Sequence, residues 1–243
     1  MVFIVVLYTG FYFSEIRNKK KELNPVPVEL NSIYVLSKQN AHPNAVRLFT
    51  DEFYWNEADE ISPFGNDNGW DALQQFVNWR KLNKQKSCVD FVNLLFKQWG
   101  FPEFNIYTLD TLEIRSFVLK IANDSNLITK EMEVSIEKSA KEMAEDVNKP
   151  YNKGIADSIN RVVQNIMGYI SISSMDDAII ATGFGQYLLE GKIDKDILEL
   201  SKIALKRQLI PDVTLNAYMF APAKPIMLRL HLMQKKLDEI SIN

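Results

Sequence analysis

Asp51, Glu52, Glu57, Asp59, Glu60, Asp67 and Asp71 crowd into one short stretch, interleaved with Phe53, Tyr54, Trp55, Phe64 and Trp70. Carboxylates forced together raise one another's pKa values or take up a hard cation. The sharp readings are therefore a Ca²⁺ or Mg²⁺ site, or an acid–base pair such as Asp59 with Asp67 in a hydrolase. An EF-hand does not fit, because Asp67-Asn68-Gly69 places its glycine too early and no glutamate stands at the bidentate position. No nucleophile motif accompanies the acids. The same residue types have plainer work, since Asn66, Asp67 and Asn68 are the kinds of side chain that accept from the free amides of a helix start. Aromatic side chains beside charges also make anchors for a partner protein. The expectation is a partner-binding surface formed by Trp55, Asp59, Glu60, Asn66, Asp67, Trp70 and Asp71, with no catalytic residue, metal or cofactor assigned.

The other reactive side chains are few. His42 precedes Pro43 and is as well explained by a helix start as by a third catalytic member, and His231 falls between Leu230 and Leu232 as a boundary residue of a helix. Cys88 stands at a helix start, where the dipole lowers a thiol pKa, but its place beside Phe91 and Val92 favours an inert core thiol. One cysteine excludes an internal disulfide framework and a multi-cysteine zinc site. Gly183-Phe184-Gly185 lacks the third glycine and the preceding strand of a dinucleotide loop and reads as a close helix contact. Lys81, Lys84 and Lys86 read as solvated surface. The four tryptophans, Trp55, Trp70, Trp79 and Trp99, read mostly as core, with Trp79 half covered and Trp70 at a rim.

Helical spacing runs through most of the chain. Pro43 suits a first helical position, and the turn from Ser62 to Gly69 launches a helix with Trp70, Leu73, Phe76 and Val77 inward. Ser87-Cys88-Val89-Asp90 resembles a capping box and starts a second, which Gly100 and Pro102 end. A third opens near Thr108 or Asp110, and a polar one covers 131–145. After Pro150, Ile155, Ile159, Val162, Val163, Ile166, Met167 and Ile170 form the clearest apolar stripe. Ser174 then reads as the cap of a separate helix over 175–191, Asp194 as the cap of another over 197–207, and a last helix covers 225–240. Residues 32–36 allow a short strand. With eight or so helices, short turns and no sustained alternation, the fold class is all-α, a single multi-helix domain over residues 41–243.

Residues 1–13 are apolar and uncharged, and Arg17, Lys19, Lys20 and Lys21 follow. That order reads as a membrane anchor over residues 1–16, joined by an extended, Pro25- and Pro27-bearing linker over 17–40 to the helical domain. A helix of about 13 residues rises only roughly 20 Å, so it inserts partly or is completed upstream of Met1. The basic flank favours a cytoplasmic domain; the rival is an exported chain with a signal peptide, though a basic start and a small-residue cleavage site are lacking. Over 243 residues, 47% apolar and 24% charged with a formal charge of -3, neither global disorder nor a field that recruits nucleic acid is expected.

Two separated segments, 41–80 and 176–208, resemble the bacterial YfeS-type proteins, with aromatic, acidic and Gly/Asn elements in the same order. These are uncharacterised proteins, so the resemblance implies no activity, cofactor or catalytic residue. The function expected is a membrane-tethered, non-enzymatic helical domain that displays the acidic, aromatic turn to another protein. The alternatives are a carboxylate-based, metal-dependent hydrolase and an immunity or inhibitor protein for a toxin.

Overall fold

Five helix starts in this chain are closed by side chains that accept from the first free amides, whereas Asp194 stands at the cap position expected of it without such a bond. His42 Nδ1 takes the Asn44 amide ahead of Pro43, Asn66 takes that of Gly69, Ser87 that of Val89, Asp110 that of Leu112 and Asn152 that of Gly154. Gly100 and Gly191, at φ 67° and 65°, end two helices in the left-handed conformation that glycine adopts without strain.

The computed structural model describes residues 33–124, 130–146, 148–219 and 222–240. Among these the chain is all-α, and no strand occurs. Helix α1 is Pro43–Leu48, and a 3-10 turn, Glu52–Trp55, follows it. Next come α2 (Asp67–Leu82), α3 (Cys88–Trp99) and α4 (Thr111–Ala122). The second half is built from α5 (Lys130–Asp146), α6 (Lys153–Glu190), α7 (Lys195–Gln208), α8 (Pro211–Ala217) and α9 (Ala223–Ile240).

Four expectations change. The two helices expected on either side of Ser174 are one helix of 38 residues, α6. Ser174 does not cap, because its hydroxyl accepts from Asn68 Nδ2 at 3.1 Å on α2 and no glycine or proline interrupts the backbone there. The strand expected at 32–36 is absent over its described part. There, the Tyr34 amide and carbonyl pair with the side-chain amide of Gln74 at 2.8 and 3.0 Å, which satisfies the backbone without a ladder. Helix α8 was not foreseen, since one short helix shows too few turns for a period to emerge. All four tryptophans are half-buried at the edge of the core, where the face of a large ring packs inward and its rim stays at the surface. The anchor expected at residues 1–16 lies outside the described residues, among which no helix is long and apolar enough to cross a membrane.

Helix α6 is the axis, packed against α1, α2, α3, α4, α5, α7 and α8. Its two halves serve two apolar cores. The C-terminal half, from Ala178 to Leu188, joins residues of α1–α3, α7 and α9 in the first core. The N-terminal half, from Ile159 to Met175, joins α4 and α5 in the second. Close approach is bought with small residues. A Cβ at Gly185 would touch Leu73 and Phe76 of α2, and one at Gly183 would collide with the Ser201 hydroxyl of α7, so Gly183-Phe184-Gly185 is the close helix contact expected. At Gly168 an added Cβ would stand 2.9 Å from the Cα and carbonyl oxygen of Val118 on α4. Backbone cannot swing aside as a side-chain tip can. Gly168→Val is therefore expected to destabilise the chain by about 1–3 kcal/mol, read from urea unfolding, with overpacking outweighing the helix propensity gained.

Candidate functional site

The acidic, aromatic stretch is built outward from its rings. Asp51 accepts from the Phe53 amide and starts the 3-10 turn, which drives Phe53 and Tyr54 inward. Tyr54 stacks on Phe49 and Phe184 with centroids 5.0 and 5.8 Å apart. Its hydroxyl donates to the Leu232 carbonyl of α9 at 3.1 Å. Trp55 Nε1 donates to the Phe49 carbonyl at 2.7 Å, and the Lys38 ammonium lies 5.9 Å over its ring. Asp59 meets Arg229 of α9 at 2.7 Å, while the Arg229 guanidinium lies 4.6 Å over the Phe53 ring. The stretch thus holds α9 to the domain.

The polar turn closes on itself. Asp59 accepts from the Ile61 amide, Ser62 donates to the Asn56 carbonyl, and Asn66 donates to the Glu60 carbonyl while capping α2. What stays on the surface are Glu57, Glu60 and Asp67, all exposed, with Trp70 and Asp71 half-buried beside them. Of the expected site residues, Asp59, Asn66 and Trp55 are engaged within the chain, and Glu60, Asp67, Trp70 and Asp71 lie along one edge of the α2 start. Among the described residues no three His, Cys, Asp or Glu side chains come together in a metal-binding group. His42 does not join the acids; its amide donates to the Leu188 carbonyl at 2.8 Å and its ring packs on Gly191, tying α1 to the end of α6. Exposed His231 sits on the outer face of α9. Burial pushes the Cys88 thiol up to about 12, with nearby Arg80 opposing, so the thiol stays protonated and unreactive.

A second polar cluster adjoins the turn. Asp176 and Arg207 are completely buried, and the Arg207 guanidinium grips both Asp176 oxygens from Nε at 3.1 Å. Its Nη1 donates to the carbonyls of Ile106 and Thr108, both at 2.9 Å, and Phe104 lies 5.1 Å beneath the guanidinium. Next to it a chain of hydrogen bonds links α6, α7 and the end of α8. Ser173 donates to the Tyr218 hydroxyl at 3.4 Å, Tyr218 to Gln208 Oε1 at 3.2 Å, and Gln208 Nε2 to Asp177 Oδ1 at 2.7 Å. The Asn68–Ser174 bond connects this cluster to the start of α2.

Charge in this cluster is expensive. Burial raises Asp176 to about 6 against the pull of Arg207, which leaves it ionised at neutral pH. Burial raises Asp177 to about 7, with a Gln208 hydrogen bond opposing and Asp176 adding to the rise. Burial, then the charge of Asp177, hold the Tyr218 phenol well above its ordinary range, with Asp176 and Glu60 contributing. Such a cluster can hold a proton, but its side chains are bonded chiefly to one another, and its chemistry is that of a joint. Sequence reasoning did not single out Asp176, Asp177, Arg207 and Gln208. The signal was present as two adjacent aspartates inside an apolar helical run, with an Arg-Gln pair ending the next helix.

Two outcomes follow from this joint. Arg207→Met leaves Asp176 buried and unpaired, and a loss of about 3–5 kcal/mol is expected in chemical denaturation; adding Asp176→Leu should restore much of it. The Asp177 carboxyl is raised from the ordinary 3.8 to about 7, so over that interval the native chain holds a proton that the unfolded chain has lost. The contribution of this carboxyl to stability is greatest on the acid side of the interval and falls as pH climbs from about 4 to about 7. Asp177→Asn keeps an oxygen for Gln208 and removes this contribution. Urea titrations at several pH values should therefore give a shallower decline for the variant and a gain above pH 7.

The chain is similar to the uncharacterised protein YfeS of Escherichia coli (strain K12), at 33% identity over 98 residues, which is 39% of this chain and 40% of that protein. The matched region thus spans less than half the length of that relative. No protein-family model matches the chain, and no solved structure matches it. The two segments singled out in the sequence, 41–80 and 176–208, are packed together here, α2 lying against the C-terminal half of α6. The similarity supports the YfeS-type resemblance.

Proposed function

We propose that this chain is a non-enzymatic helical domain whose acidic edge, carried by Glu60, Asp67 and Asp71 with Trp70 as the apolar anchor, binds a basic segment of another protein. Trp55, Asp59 and Asn66 serve as its frame. One observation carries the reading: the turn satisfies its inward polar groups within the chain, yet leaves Glu57, Glu60 and Asp67 exposed beside a half-buried tryptophan. An aromatic anchor flanked by charges suits a protein partner, with the rim charges steering encounter. The hydrolase reading fits less well, since Asp59 is held by Arg229 and Asp67 is open to solvent. The apolar residues 1–13 and the basic flank from Arg17 to Lys21 support a membrane tether with the domain on the cytoplasmic side.

A triple variant, Glu57→Lys, Glu60→Lys and Asp67→Lys, changes only exposed side chains and should unfold at nearly the wild-type temperature. In quantitative pull-downs from the native host, proteins retained by the wild type at low salt should be lost from the variant and from the wild type at high salt. An identical set of retained proteins would sink the reading.

A further inference from the structure

The end of α2 opposes its beginning in charge. Lys81 in the last turn of α2, Lys84 and Lys86 in the loop to α3, and Lys192 in the loop from α6 to α7 converge on one open cavity of about 700 Å³. Arg80 at its back sets the two loops against each other. Its Nη1 donates to the Lys86 carbonyl at 2.7 Å on one side, and its Nε and Nη2 reach the Glu190 carboxylate at 2.6 and 3.1 Å on the other. Asp194 is a third partner at 3.5 Å.

Arg80 engages Glu190 and Asp194, and with five cations against three carboxylates the lining keeps two positive charges in excess. Burial works against the Glu190 charge, but the hydrogen bonds from Arg80 and Gln186 prevail and hold its carboxyl below the usual range. Asp196 accepts from the Ser87 hydroxyl at the opposite wall. None of the four lysines makes an ion pair among the described residues, although carboxylates lie close by. Val77 and Leu189 add an apolar floor between them.

We propose that this cavity binds a small organic anion bearing two or more phosphate groups. Lysines on facing walls match charges separated along one ligand, and the ammonium group serves phosphate as a point charge without the planar fork that carboxylates favour. The volume lies in the range of small-molecule sites, and a concave wall suits a compact ligand better than a protein surface. The apolar floor accepts the body of the ligand, so ADP binds more tightly than pyrophosphate.

The test is thermal unfolding of the full chain with ADP, pyrophosphate, orthophosphate or a poly-glutamate peptide, beside calorimetric titration of ADP. At about ten times its Kd, ADP should raise the Tm by roughly 3–6 °C, with orthophosphate well below it. Lys84→Glu with Lys192→Glu should weaken ADP binding at least tenfold, and the charge-neutral Lys84→Met with Lys192→Met should weaken it in the same direction. Lys138→Glu with Lys141→Glu makes the same change of charge on α5 and should leave binding intact. The proposal fails if neither ADP nor pyrophosphate shifts the Tm, if the shift survives in both cavity variants, or if the peptide alone protects.

Discussion

The arrangement of this domain hangs on one ion pair, Asp176 with Arg207, both fully buried. Taking two charges out of water costs several kcal/mol for each ion, and their attraction recovers this only when the geometry is close and every remaining proton finds an acceptor. Here the remaining donors reach the carbonyls of Ile106 and Thr108, in the connection between α3 and α4. One guanidinium therefore fixes three things at once: the register of α7 on α6, the path of that connection, and the position of Phe104 under the charge. Hydrophobic side chains of similar volume would pack without demanding any of these. The pair specifies a geometry more than it adds stability.

Its place in the fold explains that demand. Asp176 and Asp177 fall between Met175, in the core of α4 and α5, and Ala178, in the core of α1–α3, α7 and α9. A continuous apolar interface there would let the two cores slide along one unbroken helix. The directional contacts of Asp176, Asp177, Gln208 and Tyr218 remove that freedom, and the Asn68–Ser174 bond extends the same index to the start of α2. Along α2 itself, Asp67 lies in the first turn and Arg80 and Lys81 in the last, the order that the helix dipole favours. Charge separation along that helix has a local cause before any ligand or partner is considered.

Much of this was legible in the chain. The caps at His42, Asn66, Ser87 and Asp110 and the apolar stripes after them mark α1–α4, because capping and periodicity are local signals. The unity of α6 was not legible. From Ser171 to Leu188 nearly every residue is buried, so no stripe distinguishes inside from outside, and a serine in such a run looks like a start. The aromatic, acidic bias of the turn was plain, but the partner of Asp59 comes from α9, the far end of the chain, and no local pattern names Arg229. For the same reason the Asp176–Arg207 pair is not legible in the sequence: its members show there as charges of ordinary helices, and only the packing of α6 on α7 reveals that neither touches water.

The division of α6 between two cores has a consequence for synthesis. The first core draws on residues from Leu36 to Ile106 and again from Ala178 to Ile240, whereas the second is assembled almost wholly from Ile114 to Met175. A chain emerging from the ribosome can close the second core while the earlier helices still wait, their apolar faces uncovered, for partners not yet translated. The strand of events is thus inside-out, with the middle of the polypeptide settling before its opening segment, and a chaperone that shields α1–α3 during that interval would have the most to protect.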